Sequence, residues 1–187
     1  MGRVTKKQWW AGAAVVTAVV VVAGLVWFKP WALWVDETVN EALPPVATPT
    51  GTRTGSANPS SSPGAAPPAG PATVARGSFI SHEHMTTGTV RIVRLADGTH
   101  TLRLEGLDTS NGPDLRVWLS DAPVKEGKAG WGVFDDGKYV NLAKLKGNKG
   151  DQNYPLPADL DLSAYTSVSI WCDRFDVSFG AAEIVRA

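Results

Sequence analysis

The stretch TVRIVRLADGTHTLRLE, residues 89–105, is two alternating runs set on either side of Ala96-Asp97-Gly98. In Thr89–Leu95 and Thr99–Glu105 apolar and polar residues largely alternate, the period of a strand with one face buried. A glycine after aspartate supplies the positive φ of a tight turn, so the pair reads as a hairpin. Working outward, Leu115–Ser120, Tyr139–Leu142, Ser167–Cys172 and Asp176–Val185 continue the strand pattern, while Pro123–Gly132 and Gly147–Pro157 read as longer loops. Helical periodicity is largely absent after Arg76, and no crossover helix separates the strands. The expected fold of residues 76–187 is all-β: an antiparallel β-sandwich of seven or eight strands in two facing sheets.

The first 75 residues have a different composition. From Trp9 to Phe28 the run WWAGAAVVTAVVVVAGLVWF carries no charge, and about twenty helical residues span roughly 30 Å, one hydrocarbon core. Trp9 and Trp10 open the run and Trp27, Trp31 and Trp34 cluster at its end, as indole rings do at the two water interfaces. Arg3, Lys6 and Lys7 precede it, whereas Asp36, Glu37 and Glu41 follow. The positive-inside bias puts residues 1–8 in the cytoplasm and the C-terminal domain outside, on a single-pass signal anchor in the bilayer. The run is too long, and its exit too rich in Trp, Phe and Leu, for a cleaved signal peptide. Residues 29–43 form a juxtamembrane segment expected to extend the helix briefly before Pro44. Residues 44–75 are almost entirely Pro, Ala, Ser, Thr and Gly, with Arg53 as the only charge. This linker is expected to be disordered, and at about 3.1 Å per residue it reaches at most roughly 100 Å.

Charge excludes some functions. The chain has eighteen Lys/Arg and eighteen Asp/Glu, and after residue 75 thirteen basic residues are interspersed with fifteen acidic ones. No nucleic-acid footprint is present. Cys172 is the only cysteine, so neither an intrachain disulfide nor a Cys-rich zinc site can form. No G-x-S-x-G, H-E-x-x-H or phosphate-cradling glycine loop occurs, and Asp135-Asp136 lies in the turn-like stretch Phe134-Asp135-Asp136-Gly137. A conventional hydrolase or transferase site is absent from the sequence.

The candidates for chemistry are few. Alternation in Ser167–Cys172 puts Val168, Ile170 and Cys172 on one face and Ser167, Ser169 and Trp171 on the other, which aims the thiol at the core. Two readings stand: a buried small hydrophobe, or a redox thiol or cofactor ligand. Ser81-His82-Glu83-His84-Met85 holds two of the three histidines at i, i+2, so on an extended strand His82 and His84 would share a side and form a weak metal pair. A polar lead-in strand explains them equally well. The blue-copper arrangement fails, because no histidine or methionine follows Cys172.

Several pieces together resemble the DM-thirteen family, the DOMON-associated electron-transfer domain. They are Gly77-Ser78-Phe79, His84 with Thr87-Gly88-Thr89, Gly112-Pro113-Asp114, and above all Trp171-Cys172-x-x-Phe175-x-Val177-x-Phe179-Gly180-Ala181. The resemblance covers residues 76–187. It implies a β-sandwich-like domain in which Cys172 acts as a free redox thiol or as a ligand to a prosthetic group such as haem, with His84 as its natural partner. Haem, copper and no cofactor at all are each compatible with it. The sequence departs from the pattern in lacking a neighbouring DOMON or cytochrome domain, so electrons would come from and go to other proteins. Two functions follow: a surface redox module using Cys172, or a non-catalytic adhesion or ligand-binding sandwich in which Trp171, Phe175, Phe179, Gly180 and the Gly112-Pro113-Asp114 turn serve the fold.

Overall fold

The computed structural model describes residues 6–28, 35–44 and 70–187. One helix, α1, covers Lys6–Phe28, and ten strands follow: β1 (Thr38–Asn40), β2 (Ala72–Ser81), β3 (Thr87–Arg94), β4 (His100–Asp108), β5 (Leu115–Ser120), β6 (Tyr139–Lys144), β7 (Lys149–Pro155), β8 (Ser167–Cys172), β9 (Val177–Glu183) and β10 (Val185–Arg186). The hairpin that opened the reading pairs Val90 with Leu104 and Ile92 with Leu102. Gly98 at its tip has φ +85°.

The domain is all-β, but the strands form one sheet rather than two. Their order is β1-β7-β4-β3-β2-β9-β8-β5-β6, with β10 added to β2. The hinge between the halves is β2. Its first part pairs with β3 from Ala72 to Ser78, and its last three residues, Phe79–Ser81, pair with β9. A ten-residue strand that changes partner midway lets a continuous sheet curl until its two halves face each other, which gives a sandwich-like half-barrel. Leu102 and Leu104 from one half meet Val117, Leu119 and Ile170 from the other in a single core, each fully buried. Burial of side chains of this size stabilises the fold by about 1.5–3 kcal/mol each.

A second apolar layer lies on the outer side of β5, β8 and β9. Trp118, Trp171 and Ala181 project there beneath Ala122, Phe134, Val124 and Val133 of the connection between β5 and β6. All six residues of β8 are therefore buried, including Ser167 and Ser169, which alternation alone assigned to an outer face.

Three expectations need correction. Residues within Gly147–Pro157 are not a loop: Lys149–Pro155 is a strand between β1 and β4. Its polar sequence concealed it, because its inward positions are filled by Gln152 and Tyr154, whose polar atoms bond to each other. The juxtamembrane segment does not continue the helix where it is described; Thr38–Asn40 adds to β7 as a parallel strand. Strand β2 starts at Ala72, four residues before the expected domain edge. Most of the linker expected at residues 44–75 lies outside the described residues. No helix among the described residues is long and apolar enough to cross a membrane.

Candidate functional site

At the end of β8 the chain turns through Asp173–Asp176 into β9, and this turn closes over Cys172. Cys172 has no exposed surface and packs in the core with Leu115, Val177 and Phe179. Burial pushes its pKa up, while the nearby backbone of Arg174, Phe175 and Asp114 pulls it down and Glu83 adds slightly to the rise; the Phe175 N–H donates to the Cys172 carbonyl at 3.2 Å. At neutral pH the group is a thiol, because the effect of burial outweighs the opposing backbone contributions.

The Gly112-Pro113-Asp114 turn leads into the strand residue beside Cys172. Leu115 pairs with Cys172, and the Asp173 amide donates to the Asp114 carbonyl at 3.0 Å. Gly112 leaves room for Leu115 and Phe179, against which a Cβ would press at 3.0–3.1 Å. The Asp114 carboxylate takes Arg116 at 3.2 Å and Lys144 at 3.5 Å. Gly180 pairs with Ile170 and lies against Thr86, whose hydroxyl bonds to the Phe179 carbonyl. Phe175, by contrast, is 55% exposed directly beside the buried thiol.

The two histidines are not a pair. The chain leaves extended geometry after Ser81 and bends through residues 82–84, so the i, i+2 rule does not hold. His82 lies 5.8 Å from Phe134 in the outer layer, whereas His84 stacks at 3.9 Å on Phe179 of the inner core. Both ring nitrogens of His82 are engaged: Nε2 with the Lys125 carbonyl at 3.1 Å and Nδ1 with Ser178 Oγ at 2.8 Å. A carbonyl only accepts, so Nε2 carries the proton and Nδ1 accepts from Ser178, which in turn accepts from Ser169 at 2.9 Å. His84 lies 3.8 Å from Glu83, and no hydrogen bond joins it to Cys172 among the described residues.

His82 thus holds the covering connection at Lys125 onto β9. Burial lowers its pKa, with the Lys125 bond opposing. The unfolded chain takes up the proton first, near pH 6.5, so the stability due to neutral His82 is present above that pH and is lost as pH falls towards the lower folded value. Urea midpoints measured between pH 7 and pH 5 should therefore drop, and His82→Gln should flatten that slope.

A haem or copper centre on this thiol was tested against the packing. A metal on sulfur needs an open face, and Cys172 has none. Clefts of about 680, 280 and 130 Å³ are lined respectively by residues such as Arg76 and Arg91, Asp108 and Lys149, and Asn111 and Lys144, never by Cys172. No group of three or more His, Cys, Asp or Glu among the described residues is arranged to hold a metal ion. The residues as packed do not fit a prosthetic group at Cys172.

Two features were not visible in the sequence: the aromatic layer over the strand that carries Cys172, and the acidic segment docked on β7, for which the run Asp36-Glu37-x-x-x-Glu41 was the available signal.

The fold and site define a curled all-β domain with a single buried thiol at the end of β8. The family model described as Electron transfer DM13 matches residues 78–184, and the chain belongs to that family. Neither a curated protein nor a solved structure matches the chain.

Proposed function

We propose that the domain is a one-electron transfer module whose redox centre is Cys172, held at the outer face of a membrane by residues 9–28. The observation that carries this reading is a single buried thiol, closed over by the Asp173–Asp176 turn, in a chain of an electron-transfer family. The partner is a one-electron acceptor protein docked against the exposed Phe175. One electron passes from Cys172 to that acceptor, the thiol proton goes to solvent, and a thiyl radical is left until an external one-electron donor, with a proton, restores the thiol. The membrane part of the reading is supported by the charge-free run Trp9–Phe28 and by valines from Val15 to Val26 that stay exposed all round the helix. The ionic bias that places Arg3, Lys6 and Lys7 inside supports the outward location of the domain.

A second reading is favoured by the complete burial and raised pKa of Cys172: the thiol is core, and the domain binds ligands or surfaces through clefts such as the one beside Arg76 and Arg91. Voltammetry of the detergent-solubilised full chain, wild type against Cys172→Ser, separates the two. The redox reading expects a one-electron wave that vanishes in the variant while the β circular-dichroism signal stays. A well-folded wild type with no wave, or a wave retained in the variant, sinks it.

A further inference from the structure

The free edge of β7 is shaped to receive a backbone. A Cβ on Gly147 would collide with the Glu37 carbonyl, and one on Gly150 with the Val39 carbonyl, so two glycines cut the groove in which β1 lies. The occupant is acidic and the groove basic. Lys146 Nζ lies 2.7 Å from Glu41 and Lys149 Nζ 3.0 Å from Asp36. The buried Arg103 donates to the Glu41 carbonyl at 2.8 Å, and Glu37 N donates to Asn148 Oδ1 at 2.6 Å. The match to the family covers the groove but begins at residue 78, so the occupant is an addition outside the family domain.

The same contacts are separable from the fold. The strand has three register pairs, and of its side chains only Val39 is half-buried. Its ion pairs are between one-third and two-thirds exposed, where each contributes little and is screened by salt. Segments held by few apolar contacts open well below the global unfolding free energy. The connection is also longer than the docked state requires. β1 and β2 are separated by four strand spacings, about 19 Å, whereas residues 45–71 span up to roughly 90 Å when extended.

We propose that the glycine-floored edge of β7 is a docking groove for residues 35–42 of this chain, released and re-docked while the domain stays folded, and that its occupancy sets how far the domain stands from the membrane. Docked, only residues 29–34 separate α1 from the groove. Released, residues 29–71 all lie between α1 and the domain. The distance part rests on the membrane anchor proposed above; the docking part does not. Protonation of Asp36 and Glu41, whose pKa values are held down by Asn148 with Lys149 and by Lys146 with Asn153 respectively, favours release in acid.

The test is hydrogen exchange of the full chain in nanodiscs, with energy transfer from a label at Ala187 to acceptor lipids. In wild type the amides of Glu41 and Lys149 should be protected, yet exchange at least tenfold faster than those of β8 and faster still at high salt. Gly147→Ala, which blocks the groove without a positive φ to strain, should abolish that protection, leave β3, β4 and β8 unchanged and reduce transfer to lipid. A Thr38→Cys/Lys149→Cys disulfide, joining a register pair in the otherwise wild-type chain, should lock β1 in the groove, slow exchange at Glu41 and keep transfer at or above the wild-type level. Protection equal to that of β8 would make β1 an integral strand and overturn the proposal. So would no protection in wild type, or protection that rises with protein concentration, which would mean a second copy supplies the segment. Failure of the chain to enter bilayers would sink the anchor and the distance claim but leave the exchange result intact, and lost protection with unchanged transfer would sink the distance claim alone.

Discussion

Trp171→Ala should lower the unfolding free energy by about 3–5 kcal/mol, the range for deleting a buried aromatic. Trp171 is 1% exposed, stacks on Trp118 at 4.8 Å and meets Phe134 edge-on at 6.4 Å. Removing it opens a void between β8 and the connection that covers it, and neither neighbour can collapse far: Trp118 is itself stacked on Tyr139 at 4.1 Å. Such a loss is a large share of the stability of a domain this size. Trp171→Phe should cost much less, because it keeps most of the ring and removes an indole N–H that is buried without a partner. Urea denaturation followed by circular dichroism checks both; equal midpoints for Trp171→Ala and wild type would contradict the packing argument.

The second large effect is expected at Gln152→Met, about 2–4 kcal/mol from orphaned donors. Gln152 has no exposed surface. Its Oε1 accepts from Tyr154 Oη at 2.7 Å, from Lys146 N at 3.1 Å and from Gly147 N at 3.3 Å, and its Nε2 donates to the Gly147 carbonyl at 2.7 Å. Methionine matches the volume and satisfies none of these, so the cost is electrostatic rather than steric. The Tyr154 hydroxyl, whose pKa burial pushes up to about 12, cannot escape by ionising at ordinary pH. The amide of the exposed Lys146 keeps the Tyr154 hydroxyl as acceptor at 3.1 Å, which sets the lower end of the range. Thermal melts provide the check, and Gln152→Glu at neutral pH should be damaging as well, since it buries a charge in the same place.

The contrast between these residues explains what was legible in the sequence. Leu115–Ser120 and Ser167–Cys172 announced themselves because apolar side chains alternate there, and both strands begin and end where the pattern does. Strand β7 did not, because its core positions hold a glutamine and a tyrosine that satisfy each other, and hydropathy records only their polarity. Strand β1 was invisible for another reason: three residues carry no period, and its docking depends on two glycines more than a hundred residues away. At the site, alternation gives the inward direction of Cys172, but not the Asp173–Asp176 turn that closes over it. His82 and His84 looked like a pair only under the assumption that the strand continued; the bend after Ser81 sends them to opposite sides of the sheet. The aromatic layer was similarly split in the sequence, with Trp118, Phe134 and Trp171 spread over three elements.

Strand β2 has a further consequence. Because it pairs with β3 along most of its length and with β9 at its end, it belongs to both halves of the curled sheet, and neither half has a complete set of hydrogen-bonded neighbours without it. Melting one half strips the other of its border. The domain therefore behaves as a single cooperative folding unit, and a cut within residues 72–81 would disable both sides at once instead of yielding a surviving fragment.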